Sequence, residues 1–190
     1  MELTEEQKSI INKIEAEFKR RPGGIRFNNR PKKSTGTGRS APFGFIRKRP
    51  WYAPGPSDEN KKWPELWDLL KQYGSTIPVE WDAVQVNINC ICGKHKDEGN
   101  IGDSYLISGG DYTGGELVVE GTRYNCRYNP LIFNGSEKEH WNEPFEGNKW
   151  TLVFFKTTIP RHFQHLYVDK WRQQYPNYKE EYIPGIAKSK

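Results

Sequence analysis

The chain has no apolar run long enough to span a membrane, which excludes a helical integral membrane protein. Its opening residues, MELTEEQKS, are charged and lack the apolar segment of a secretory leader. Cysteine is scarce: Cys90, Cys92 and Cys126 make an odd set and no disulfide framework. The expectation is a soluble protein of a reducing compartment inside the cell, cytoplasm or nucleus. Apolar residues are also few, with a hydrophobic share of 34% and a mean hydropathy of −0.91. Aromatics fill the deficit: 9 Phe, 10 Tyr and 7 Trp in 190 residues can build the core of one domain. No internal repeat is visible.

Acidic residues are absent from Phe18 to Ser57. The same stretch holds eleven basic residues: Lys19, Arg20, Arg21, Arg26, Arg30, Lys32, Lys33, Arg39, Arg47, Lys48 and Arg49. The formal net charge is +5, so the rest of the chain is acidic at −6. A segment so polarised is a candidate polyanion-binding surface. Trp51 and Tyr52 follow RKRP within it and could stack on bases. A solvated basic loop that only aids solubility explains the charge equally well. The interleaved Gly, Asn, Ser and Thr predict that much of the segment is loop.

Thr4 and Gln7 form a capping box ahead of an apolar face made by Ile10, Ile11, Ile14 and Phe18. Pro64 suits the first turn of a second helix, PELWDLLKQY, which Gly74 ends. From Trp81 the period changes to two. Val84, Val86, Ile88 and Cys90 are expected on one face, and Gln85, Asn87 and Asn89 on the other. Further strands are expected at Ser104–Ser108, Glu116–Val119, Pro130–Phe133 and Trp150–Lys156, with SGGDYTGG and FEGN as turns. A last helix is expected after Pro160. The pattern is mainly β with flanking helices and suits a barrel or jelly roll. It divides into a helical support with the basic segment (1–80), a strand core (81–160) and a C-terminal helix and tail (161–190) within one globular unit.

The chemistry lies in the strand block. His95 and Asp97 form H-x-D just after a strand, where residues i and i+2 share a face and can reach one metal. A two-histidine, one-carboxylate site needs one more ligand and leaves three positions open. His140, between PLIFNG and WTLVFF, is the natural third; His162 and His165 on the last helix compete. H-x-D alone is a common triplet that mostly binds nothing. Nine residues after His140 stands Lys149, and Thr151 shares its strand face. A cation inside a strand block needs an anionic partner, and a dicarboxylate cosubstrate would supply one. An exposed lysine at a strand start is the plainer reading.

The segments HKDEGN, GDYTGGELVV, FNGSEKEHW and GNKWTLVFF resemble the core of the iron(II)/2-oxoglutarate-dependent dioxygenases, in the same order, over about Trp81 to Phe155. The resemblance implies a double-stranded β-helix (jelly roll). It implies iron(II) on His95, Asp97 and His140, and 2-oxoglutarate on Lys149 and Thr151. Oxygen would be the second cosubstrate, with ascorbate as a stimulant. Many members carry Arg where Lys149 stands, and Lys is a point charge without a bidentate fork.

Two branches are similar. The TET/J-binding-protein-like nucleic-acid oxygenases share H-x-D-x-x-N, the DYTGGEL turn and the short H-W-N-x-P segment. They imply oxidation of the C5 methyl of 5-methylcytosine or thymine in DNA, with the base flipped from the stack. On that reading DNA meets Arg47, Lys48, Arg49, Trp51 and Tyr52, while Asn87, Asn89 and Asn100 bond a base edge or order the cosubstrate. Those asparagines serve equally well to satisfy backbone groups. The prolyl hydroxylases share the pattern read here as PFEGNKW, and imply a peptide groove in which Trp51 and Tyr52 serve as well. A non-catalytic binding module on the same fold is a third reading, against which the intact triad argues. Zinc on Cys90-x-Cys92 with His95 lacks a second Cys/His pair at finger spacing. Cys126 reads as an ordinary small residue. Trp63, Trp67, Trp141, Trp150 and Trp171 read as packing, with Trp141 and Trp150 beside proposed site residues.

Overall fold

A computed structural model describes residues 1–20, 27–28, 36–46 and 55–157. Arg47, Lys48, Arg49, Trp51, Tyr52, His162, His165 and the helix expected after Pro160 lie outside the described residues.

Helix α1 (Glu5–Lys19) starts at the capping box: Gln7 N–H donates to Thr4 Oγ1 and Thr4 N–H to Gln7 Oε1. Its stripe Ile10, Ile11, Ile14 and Phe18 is buried. Strand β1 (Gly36–Ile46) and the two-residue β2 (Gly55–Pro56) precede a short helix α2 (Glu59–Lys62) and then α3 (Pro64–Gly74). Pro64 opens α3 in the first turn. Gly74 ends it beneath the Trp81 indole, whose Nε1 donates to the Gly74 carbonyl. The remaining strands are β3 (Ala83–Cys92), β4 (Asn100–Gly114), β5 (Leu117–Val119), β6 (Thr122–Tyr124), β7 (Leu131–Phe133), β8 (His140–Asn142) and β9 (Phe145–Thr157).

The strands form two antiparallel sheets. The larger runs β2-β1-β3-β9-β4-β7 and the smaller β6-β5-β8. This is a jelly roll with helices on the outer face of the larger sheet. The outer layer buries Leu66, Trp67, Leu70 and Tyr73 of α3 with the α1 stripe against Val84, Val86, Ile107, Leu152 and Phe154. Aromatic edges interlock there: Tyr73 meets Phe154 and Tyr105, and the Tyr73 and Tyr105 hydroxyls share a buried 2.7 Å hydrogen bond. A smaller cluster of Leu106, Leu117, Val119, Cys126 and Phe133 packs on the inner side.

Three expectations need correction. The segment read as basic loop contains an eleven-residue strand, β1, inserted beside β3. Its inward set, Ala41, Phe43 and Phe45, is buried and alternates by two, but glycine, proline and flanking charge hid the period. Secondly, SGGDYTGG and FEGN are not turns. They are the paired ends of β4 and β9, a ladder from Asn100↔Thr157 to Gly114↔Phe145. Glycine is used there for close approach: a Cβ on Gly109 would sit 2.1 Å from Trp150 Cζ2. Thirdly, Cys90 is not on the face of Val84, Val86 and Ile88, for the reason given with the site below.

At the closed base of the sheet, Asp82 is buried and accepts the backbone N–H of Thr157. Burial pushes its carboxyl up to about 8, against the pull of the Thr157 N–H and the Lys156 charge. The folded chain therefore holds a proton that the unfolded chain releases, and stability falls as pH rises from about 4 through about 8. Asp82→Asn is expected to flatten that decline in a series of denaturant melts. An unchanged slope would assign it to other groups.

Candidate metal centre and cavity

The site begins with a bulge. Across β1 and β3 the register passes from Arg39↔Ile88 to Thr37↔Ile91, so Asn89 and Cys90 together oppose Gly38. Asn89 takes a left-handed φ of 52°, and Gly38 has a φ of +96°. A Cβ on Gly38 would lie 2.5 Å from the Asn89 carbonyl oxygen. The extra residue inverts the alternation of β3. Cys90 and Cys92 thus join Gln85 and Asn87 on the face that lines a cavity of about 320 Å³ between the sheets. Asn89, expected among the substrate residues, is instead exposed outside that lining. Its Oδ1 accepts the Lys149 N–H at 2.8 Å.

Beyond the bulge the chain crosses to the smaller sheet. His95 N–H donates to the His140 carbonyl at 3.1 Å and His140 N–H to the His95 carbonyl at 3.0 Å. Asp97 N–H donates to the Gly135 carbonyl at 2.8 Å. These bonds bring together residues that stand 45 positions apart in the chain, from 95 to 140. Each imidazole pairs its Nδ1 with a carbonyl two residues back: Gly93 for His95 at 2.7 Å and Lys138 for His140 at 2.9 Å. That leaves each Nε2 turned to Asp97. His95 Nε2 lies 3.6 Å from Oδ1 and His140 Nε2 3.4 Å from Oδ2.

One donor atom from each of the three residues falls within 4.8 Å of the others. Neighbouring ligands of one six-coordinate ion stand about 3 Å apart. Backbone carbonyls orienting both rings through Nδ1 are the outer contacts a metal-binding histidine uses. Gly135 belongs to the same cradle: a Cβ there would meet Asp97 Oδ2 at 3.0 Å and His140 Cε1 at 3.4 Å. The donor set and this clearance fit an iron(II)-type ion. Burial of the His140 ring favours its neutral form. Hydrogen bonding to Asp97 and to the Lys138 carbonyl, with the Asp97 charge, outweighs burial and raises its pKa.

Lys149 and Thr151 follow on β9. Thr151 lines the cavity between Asn87 and Ser108, its cross-strand partners. Lys149 is only 4% exposed. Its Nζ donates to the Gly115 carbonyl at 2.6 Å and lies near the Tyr112 and Phe145 rings. Among the described residues no carboxylate forms an ion pair with it, and burial lowers its pKa.

Asn87 and Asn100 line the cavity as well. So do Ser40, Gln85 and Asn142, which the sequence reading passed over. Asn142 was within reach, since the i, i+2 rule applied to His140 in H-W-N puts both on one face. Ser40 was hidden with β1. Trp141, between His140 and Asn142, does not line the cavity; the Lys94 ammonium sits 4.5 Å from its ring centre. Trp150 is buried on the helix-covered face of the sheet. A larger open depression of about 560 Å³ between Met1 and Tyr128 holds none of the three clustered metal-ligand residues.

No family model matches the sequence, and no curated protein matches it. Solved structures resemble it in fold. NgTET1 in complex with 5mC DNA matches with a TM-score of 0.52 at 15% identity, over 81% of this chain and 68% of that one. An oxidoreductase of the 2OG-Fe(II) oxygenase family from Burkholderia pseudomallei matches at 0.48 and 18%, over 76% and 77%. A Pseudomonas putida prolyl-4-hydroxylase matches at 0.46 and 14%, over 77% and 85%. The likeness to NgTET1 establishes a shared jelly-roll architecture.

Gly135→Ala is expected to weaken divalent-metal binding by roughly 10-fold, the scale for disturbing a ligand's support, with little loss of melting temperature. Calorimetric titration with manganese(II) measures it. Affinity should also drop on acidification, because the ion must displace the proton that Asp97 helps His140 to hold. Unaltered affinity in Gly135→Ala would show that the metal, if bound, sits elsewhere.

Proposed function

We propose that this protein is an iron(II)- and 2-oxoglutarate-dependent dioxygenase that hydroxylates the C5 methyl of a pyrimidine, 5-methylcytosine or thymine, in DNA. The observation that carries the oxygenase reading is Lys149. It is a buried ammonium with no carboxylate partner among the described residues, nine residues after His140 and on the face of Thr151. A buried unpaired charge is costly, and a small anionic ligand entering from the cavity relieves that cost. Thr151, two residues on from Lys149, faces the cavity that the His95, Asp97 and His140 cluster lines, and Lys149 would anchor a carboxylate beside it.

His95, Asp97 and His140 would hold the iron. When bound, it supplies oxygen activation coupled to the decarboxylation of 2-oxoglutarate to succinate. The chain's own residues do the rest. Lys149 binds the far carboxylate by charge and Thr151 by its hydroxyl. The Gly93 and Lys138 carbonyls keep both Nε2 atoms directed at the ion. Val153, Leu106 and Leu117 keep the inner wall apolar, which limits water around the reacting groups.

Substrate class follows from the cavity's charge. Apart from the triad, its lining carries no ionic side chain. It offers Gln85, Asn87, Asn100 and Asn142 as carboxamides, and Phe133 and Phe155 as rings. Carboxamides read paired donor and acceptor edges, and rings pack a planar face, so a neutral nucleobase suits this chemistry. The stretch from Lys19 to Arg49, with eleven positive charges, suits the phosphates that must accompany the base. NgTET1, solved with 5mC DNA, shares this fold, which adds support.

Incubation of the protein with iron(II), 2-oxoglutarate, ascorbate and DNA containing 5-methylcytosine is expected to yield oxidised cytosine in digested nucleosides, matched by succinate. Succinate without a modified base would keep the oxygenase and move the substrate to proline-containing peptides. His95→Ala, Asp97→Ala or His140→Ala is expected to abolish turnover in a folded chain. Lys149→Ala should raise the 2-oxoglutarate requirement on the order of 100-fold, as for removing one partner of a buried charge pair. An unchanged requirement would relocate the cosubstrate.

A further inference from the structure

We infer that Glu15, on α1 and across the sheet from the metal cluster, is a positioning residue for the strand that carries Lys149 and Thr151. The inference rests on reading those two residues as the 2-oxoglutarate subsite. Trp150 lies between them and points the opposite way, into the helix-covered core. Its indole lies over Gly109, its cross-strand partner, and fills the place a Cβ would take. Phe18 and Tyr128 flank the indole, each with ring centres 6.1 Å away.

One carboxylate oxygen fixes this assembly. Glu15 Oε1 accepts the Trp150 Nε1–H at 2.9 Å and the Tyr128 O–H at 2.6 Å. The Tyr128 oxygen in turn accepts the Gly110 N–H at 3.1 Å, and Gly110 is the cross-strand partner of Lys149. A single chain of hydrogen bonds thus ties α1 to both strands at the point where Lys149 and Thr151 leave the other face. Tyr128 holds a left-handed φ of 53° to take part, a conformation that a bulky residue adopts only under outside constraint. Without Glu15 the indole N–H and the tyrosine hydroxyl lose their shared acceptor. The β4–β9 pair can then twist by the fraction of an ångström that separates a seated ammonium from a displaced one. The metal residues are held by other bonds, between His95 and His140 and between Asp97 and Gly135, so they should not feel the change.

The test uses the full chain and two readouts. Binding of 2-oxoglutarate to the manganese(II)-loaded protein is followed by calorimetry, without turnover; KM and kcat are read from succinate release. Glu15→Ala is expected to raise the 2-oxoglutarate Kd and KM roughly 10-fold, with kcat within about twofold and manganese(II) affinity unchanged. Glu15→Gln keeps the Oε1 acceptor and should restore both constants. Thr4→Ala loosens α1 at its other end through the capping box, and should lower Tm without moving either constant. If Thr4→Ala shifts the constants as Glu15→Ala does, or if Gln fails to rescue, Glu15 acts only through helix stability and the inference is overturned. If Lys149→Ala leaves 2-oxoglutarate binding unchanged, the subsite reading itself fails. A Lys149 effect without a Glu15 effect removes Glu15 alone.

Discussion

The two-way backbone pairing of His95 with His140 is the contact on which the site depends. Each residue donates its N–H to the other's carbonyl, so the imidazoles are fixed as cross-strand neighbours with ring centres 4.3 Å apart. The pairing also joins the segment after β3, in the larger sheet, to β8 in the smaller one, beside the cavity that both histidines line. Asp97 is brought in by the bond to Gly135 two residues further along the same strand direction. Side-chain geometry here is inherited from a backbone bridge, which places side chains more precisely than a free loop does.

Lys149 stands two residues before Thr151, which lines the cavity, while Lys149 itself does not. Its ammonium is buried, spends one donor on the Gly115 carbonyl, and is surrounded by rings rather than carboxylates. Gly115, with φ +72°, keeps its carbonyl within reach, and a Cβ there would press on Nζ at 3.2 Å. Two charge arrangements are thus present: a carboxylate between two imidazoles, and a buried cation with no counter-ion among the described residues. The apolar and carboxamide lining of the cavity adds no charge beyond the triad.

Much of this was legible in the chain. The capping box at Thr4, the apolar stripe of α1, Pro64 at the start of α3 and the alternation from Val84 to Ile88 are local signals, and local physics honours them. H-x-D and the order of the later segments pointed to the residues that the fold brings together. Other features were illegible because they depend on partners distant in sequence. β1 looks like loop in its own composition and becomes a strand because β3 offers it a ladder. The glycines of GDYTGG look like a turn, yet one of them is small because Trp150, 41 positions away from Gly109, must lie upon it. The phase of Cys90 changes because a single extra residue opposes Gly38.

By itself, the sequence determined the element types wherever period and capping act within a few residues, and it determined the kinds of chemistry available: imidazoles, carboxylates, and a cation near the start of an apolar run. Tertiary structure decided which of these meet. It selected His140 to face Asp97, moved Asn89 out of the cavity, and brought Cys90, Cys92 and Asn142 into it. The reason is that register and bulges fix which face a side chain takes, and they are set by pairing between strands rather than by the residues of any one strand.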